Sequence, residues 1–255
     1  MNISMEALAL AGRIIMESGG ETYRVEETVT HMGHAFGLQS VETFAVPSGL
    51  FIGCRDAEDN QETRILRLRP ASTDLSRVDA VNQISRQAEA GQLTAAEALA
   101  ALQKIAAAPP PFPLPLQILG AGVCALGFTL MFAGGWLEAA ASFGAAALVQ
   151  ALSAWLSRLT HQSNVTCIFR SFFTALLPMA LFAALGRGQL EPTVGGALMP
   201  LLPGLTMTTA VQDLLRGDSV SGGTHLLRAA LIAAMVAAGA LFAAMTMRLI
   251  GGLAP

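Results

Sequence analysis

Five long apolar stretches crowd the C-terminal part of this chain, and no other feature restricts its fold as much. They run Leu116–Ala133, Trp136–Leu156, Val165–Leu185, Val194–Leu215 and Leu226–Ile250. Each approaches the ~20 apolar residues that a helix needs to cross the hydrocarbon core of a bilayer. A helical core buried in a large soluble protein also yields apolar runs, but it needs polar residues to coat it. After Pro109-Pro110-Pro111 the chain has six Arg, no Lys and four Asp or Glu. That is too little charge for a soluble coat, so the stretches read as about five transmembrane helices.

The first 108 residues differ in character. Nine Lys and Arg stand against fourteen Asp and Glu there, a net charge of −5. Met5–Met16 has helical spacing and stops at Gly19-Gly20, and a second helix is predicted from Glu21 to Ala35. Val41–Ala45, Leu50–Cys54 and Thr63–Leu68 are short runs bounded by turn residues and predict a small antiparallel sheet. Asp74–Ala90 returns to helical spacing, and Thr94-Ala95-Ala96-Glu97 is a capping box opening a helix to Ala108. The expected fold is therefore an α-helical membrane protein preceded by a small cytoplasmic α+β domain. The division expected is 1–108 for that domain, 109–115 for a proline-rich spacer and 116–255 for the spans. The run Pro109–Pro115 also has the form of a ligand for a proline-recognition domain, but its place at a composition shift favours a stiff spacer.

Orientation rests on Arg158, Arg216 and Arg228 on the side of the N-terminal domain, against Arg187 and Arg248 on the other. That bias is slight. No basic n-region precedes the short apolar run Ala7–Ala11, so the N-terminal domain is expected in the cytoplasm of a bacterial inner membrane and Pro255 outside. An acidic domain without a basic patch makes nucleic acid an improbable partner. Cys54, Cys124 and Cys167 lack metal or disulfide spacing, and His31 with His34 on one helix face wants a third ligand. Neither a metal nor a cofactor is expected.

The fourth stretch carries the most chemistry. Pro203-Gly204 falls near its middle and weakens the helix. A helix broken there presents a second N-terminus with unpaired N–H groups and partial positive charge, suited to a carboxylate. Thr206, Thr208 and Thr209 add hydroxyls beside it. The plainer alternative is a packing kink whose threonines bond back to preceding carbonyls. Glu138, Arg170 and Asp213 are the ionisable residues in or at the edges of apolar segments, where such groups usually face a cavity or a partner. Asp213 could pair with Arg216 or Arg170, and Arg170 could snorkel to the surface. Small residues such as Gly134-Gly135 and Gly144–Ala147 permit close helix approach. In the N-terminal domain, Ser18, Gly19, Glu21, Thr22 and Arg24 form a dense polar cluster at a helix junction. A serine there suggests a nucleophile, yet no His or Asp stands at a meaningful spacing.

Three blocks resemble the threonine/serine exporter (ThrE) family. They are Ser18-Gly19-Gly20-Glu21-Thr22-Tyr23-Arg24-Val25-Glu26 with Phe36-Gly37, then Val78–Asn82 with Gln92-Leu93-Thr94 and Glu97-Ala98, then Pro203–Thr206 through Asp213 with Gly217-Asp218. Complete members carry a cytoplasmic domain and about ten spans. This chain is similar to the long, YjjP-like subunit of a split branch, in which a short YjjB-like membrane subunit supplies the rest. That resemblance implies export of a small dicarboxylate such as succinate, or of threonine and serine as in the parent branch, with a higher oligomer left open. No Gly-x-x-x-x-Gly-Lys motif for ATP hydrolysis is present. The rival reading is a membrane-anchored hydrolase acting around Ser18 and Glu21.

Overall fold

The computed structural model describes residues 2–68, 73–156 and 163–251, so Arg158 lies outside the described residues. The chain forms two compact units, Met1–Pro111 with Leu205–Leu227, and Phe112–Gly204 with Arg228–Pro255. The sequence reading groups Leu205–Leu227 with the spans, whereas the structure groups it with the N-terminal residues.

The first unit opens with helix α1 (Asn2–Glu17) and helix α2 (Thr22–Ala35). Strands β1 (Ser40–Val46), β2 (Gly49–Arg55) and β3 (Gln61–Arg67) follow as an antiparallel sheet in the order β1-β2-β3. Register pairs Ala45 with Leu50 and Leu50 with Leu66. Strand side chains alternate between faces, so Leu50, Ile52 and Cys54 point inward and are buried. Helices α3 (Leu75–Glu89) and α4 (Ala95–Ala107) complete this part. The expected capping box is present: Thr94 accepts from the Glu97 amide, and the Glu97 carboxylate accepts from Thr94. Helix α1 is central, touching α2, α3, α4, β2 and β3. Its Met5, Leu8 and Ile15 are wholly buried, and Gly12 lets Val25, Val29 and Leu50 close over it.

In the second unit, α5 (Leu114–Met131) starts inside the expected spacer, with Pro115 in its first turn. Proline is tolerated there because first-turn N–H groups have no intrahelical acceptor. Helices α6 (Trp136–Leu156) and α7 (Ser163–Leu185) follow, then the short α8 (Leu190–Leu198) and a 3-10 turn, Met199–Leu201. Helix α8 packs on α5, α6 and α7. A Cβ at Gly196 would meet the Thr129 amide nitrogen at 2.6 Å, so the α5 and α8 backbones nearly touch. Gly134 also sits at a close approach, but Gly144 faces open space.

The fourth apolar stretch is therefore two helices, α8 and α9 (Gly204–Leu215), with the break at Leu202-Pro203. The long α10 (Ser219–Gly251) follows. Among the described residues, α5, α6, α7 and α10 are long and apolar enough to cross a membrane, and the bent pair makes a fifth if it is one span.

Gly217 turns the chain between α9 and α10 at φ +93°, a conformation that suits glycine. The Asp218 amide donates to the Asp213 carbonyl at 2.9 Å, closing α9. Five residues later a Cβ at Gly222 would meet the Ala210 carbonyl and the Leu214 amide nitrogen, each at 2.9 Å. We expect Gly222→Val to force α9 and α10 apart and lower the unfolding midpoint of the purified protein by several degrees. An unchanged midpoint would show that this hairpin does not pack so closely.

Candidate functional site

The residues of the first block split into two roles. Gly19, at φ +80°, ends α1, and the Gly20 amide donates back to the Ile15 carbonyl at 2.9 Å. Ser18 is buried, and its carbonyl accepts from the Asp74 amide at 3.0 Å. Among the described residues its hydroxyl has no hydrogen bond to a histidine or carboxylate, the partners a serine nucleophile requires. Glu21 holds the N-cap position of α2, but its carboxylate accepts from Arg24 Nε at 2.8 Å instead of capping. Burial opposes the Glu21 charge, but the Arg24 hydrogen bond and the positive charges of Arg24 and Arg216 outweigh it. The carboxyl is held below the usual range. These five residues shape and pin the turn.

Thr22 is the block's outward link. It is buried in the first turn of α2 and faces the α9–α10 hairpin of the same unit. Its Oγ1 donates to Asp213 Oδ2 at 3.3 Å and lies 2.5 Å from Ser221 Oγ. His225 Nε2 stands 4.0 Å from the same carboxylate oxygen. Ser221 and His225 are four residues apart on α10 and so share a face. Asp213 itself is 0% exposed, and its Oδ1 has no hydrogen-bond partner among the described residues. Thr209, one turn earlier on α9, is buried on the same face. Arg216 does not pair with Asp213. Its guanidinium lies over the Tyr23 ring at 3.4 Å and 3.9 Å from Glu27 Oε1.

Glu26, one turn along α2 from Thr22, accepts from the Ala45 amide at 3.2 Å. Burial raises its carboxyl above the usual range, with the charges of Asp218 and Asp213 adding to the effect.

The other candidates lie elsewhere. Gly204 opens α9, and a Cβ there would meet nothing within 4 Å. Pro203 and Thr206 are half-buried and Thr208 is exposed. Arg170 donates through one terminal nitrogen to Gln150 Oε1 at 2.7 Å, while its buried Nε has no hydrogen-bond partner among the described residues. Glu138 accepts from the Gln189 amide at 3.0 Å and thereby ties the start of α8. His31 is bonded to Glu89, and among the described residues no three His, Cys, Asp or Glu side chains are grouped to hold a metal.

Chemically, the Asp213 cluster is a buried carboxylate with one free oxygen, two hydroxyls and an imidazole. Such a set is able to exchange a proton or receive a cationic group. Sequence reasoning found Thr22 and Asp213 separately but missed Ser221, His225, Tyr23 and Glu26 as their companions. The available signal was the four-residue spacing of Ser221 and His225 at the polar start of an apolar helix.

Two measurements check this geometry. Thr22→Val and Asp213→Asn should each destabilise the protein by ~1–3 kcal/mol, the cost of disrupting a buried hydrogen bond. Together they should cost little more than the worse one alone, since contacting residues are not additive. Fully additive losses would mean that the contact carries no energy. Second, Glu26→Gln should stabilise the protein at neutral pH. With a raised folded-state value, the native carboxyl disfavours ionisation, so wild-type stability is fully present at acid pH and falls as pH rises through that value. The advantage of glutamine should thus vanish below the ordinary glutamate range, and an equal advantage at all pH values would contradict it.

A family described as "Putative threonine/serine exporter" matches residues 6–247. The chain is 23% identical over 231 residues to a "Probable threonine/serine exporter" of Mycobacterium tuberculosis (strain ATCC 25618 / H37Rv), covering 89% of this chain and 43% of that one. The chain thus spans less than half the length of the curated relative it matches. No solved structure matches it. With a match over nearly its whole length and, among the described residues, four or five apolar helices of spanning length, this membrane protein belongs to the threonine/serine exporter (ThrE) family.

Proposed function

We propose that this chain is one part of a secondary exporter for small carboxylate-bearing solutes, with threonine and serine as first candidates, completed by a second membrane subunit. One observation carries the reading. A chain matched almost end to end by an exporter family buries a carboxylate, Asp213, at the end of a broken apolar segment. Ionisable groups in such segments are costly and usually mark a pathway or relay. Asp213 with His225 is the proposed coupling pair. The first turn of α9, with Gly204, Thr206 and Thr208, is the proposed carboxylate end, where helix N–H groups and hydroxyls favour an anion.

The need for a partner rests on length, since the relative is more than twice as long as this chain. The placement of Met1–Pro111 in the cytoplasm belongs to the same proposal, supported by the acidic composition before the prolines. The resemblance to a split branch favours a short membrane subunit as the missing part, and makes succinate the second substrate to test.

The decisive experiment measures efflux of labelled threonine, serine and succinate from cells with this chain alone, the short subunit alone, and both. Efflux should require both. With both present, Asp213→Asn should slow it about tenfold or more, the rate equivalent of at least ~1.4 kcal/mol. Thr206→Val should weaken it while membrane insertion stays normal. Full-rate efflux from this chain alone would overturn the partner. Unchanged rates in both variants would move the site elsewhere.

A further inference from the structure

We propose that the N-terminal part of the chain carries a second ligand site, a basic groove that takes a phosphate-bearing anion. The groove lies between α1 and the edge strand β3, has a volume of about 580 Å³, and is lined by Arg13, Arg64 and Arg67 with Leu10 and Gln103. Glu6 is the single acid on its wall.

The placement follows from two periodicities. Glu6, Leu10 and Arg13 recur at helical spacing and so line one stripe of α1. Among the described residues β3 pairs on one side only, with β2, which leaves its other edge beside the groove. Arg64 stands across from Ile52 in the sheet and Arg67 across from Gly49. Three residues apart, Arg64 and Arg67 project from opposite faces of β3, and both line the groove that runs along the strand's free edge beside the stripe that holds Arg13.

The three groove arginines lack the carboxylate partners that most arginines of this unit have; Arg86, also in no ion pair among the described residues, lies outside the groove. In the same unit Arg24, Arg55, Arg77 and Arg216 each have a carboxylate oxygen within 4.0 Å. Arg13, Arg64 and Arg67 are in no ion pair among the described residues. Yet the first 108 residues hold fourteen acids against nine bases, so three unpaired guanidiniums do not gather by excess of arginine. Guanidinium forks bind phosphate oxygens in bidentate fashion, and three around one groove suit a group carrying at least two negative charges. The volume falls in the range of small-molecule sites. Ala9, Leu10 and Ile65 offer an apolar wall for the body that bears the phosphate.

The same chemistry is found on a soluble phosphorylated metabolite and on a phospholipid headgroup, and the test separates them. The full chain, in nanodiscs of neutral phosphatidylcholine, is titrated with inorganic pyrophosphate and, separately, with dihexanoyl phosphatidic acid. Saturable binding of pyrophosphate that weakens in high salt is expected. It should fall about tenfold or more in Arg13→Gln and Arg64→Gln, with part of the loss restored in Arg64→Lys. Arg86→Gln, which removes an exposed arginine outside the groove, should leave it unchanged. If only the short-chain lipid binds, with the same dependence on the three arginines, the groove reads a headgroup. Binding of neither compound, or binding that survives all the arginine variants, overturns the proposal. Matching unfolding midpoints for the variants show that lost binding is not lost folding.

Discussion

The contact between Thr22 and Asp213 is the interaction on which the first unit's assembly turns. Two segments separated by 191 residues meet there, and the meeting point is a carboxylate wholly out of water. Removing such a group from solvent costs several kcal/mol unless donors replace the lost hydration. The donors come from outside its own helix, from Thr22 on α2, with Ser221 and His225 on α10 beside them. Moving α9–α10 away from α2 would leave the carboxylate with fewer donors still. Asp213 therefore ties the position of the hairpin to the turn that sets Thr22, and that turn depends on Gly19 adopting a positive φ.

Around this contact the charges divide the work. Arg216 stacks on Tyr23 and approaches Glu27, which holds the end of α9 to α2 without neutralising Asp213. Arg24 is engaged by Glu21. The carboxylate is thus left to hydroxyls and an imidazole, while both nearby arginines face other groups. A structural salt bridge would have placed one of those arginines on Asp213. An arrangement that withholds them leaves the acid without a fixed counter-charge, which is consistent with the proposed coupling role.

Local chemistry explains which features were legible in the sequence. The capping box at Thr94, the three strands, the ends of α1 and α2 and the break before Gly204 are all written in residues within a few positions of one another. The spans follow from apolar runs whose length is fixed by the bilayer. The convergence of Thr22 on Asp213 is a contact across most of the chain, and no periodicity encodes it. For the same reason Glu138 and Arg170 could be flagged as costly residues but not assigned. Their partners, the Gln189 amide and the Gln150 side chain, are neutral and lie on other elements. The basic groove was illegible because Arg13 belongs to a helix stripe and Arg64 and Arg67 to a strand, and the acidic total conceals them.

Helix α9 shows why its sequence reads as a span although it packs with the N-terminal residues. It buries Thr209, Ala210 and Asp213, the small and polar side of the helix. Its opposite side leaves Leu205, Met207, Val211 and Leu214 between 41% and 52% exposed, and Leu215 83% exposed. A helix on a water-soluble domain has the reverse arrangement, with apolar residues inward and polar ones outward. Val220, Leu226 and Leu227 continue the exposed apolar surface into α10. So many exposed apolar side chains on a short segment are costly in water and call for lipid or an apolar protein surface against them. Hydropathy averages over a helix without regard to which side is buried, so it registers α9 as membrane-like. The inverted faces give that reading its physical content. The polar side of α9 serves the Asp213 cluster while its exposed side is rich in apolar residues, so the segment Leu205–Leu227 packs with the N-terminal unit yet has the surface chemistry of a membrane-facing helix.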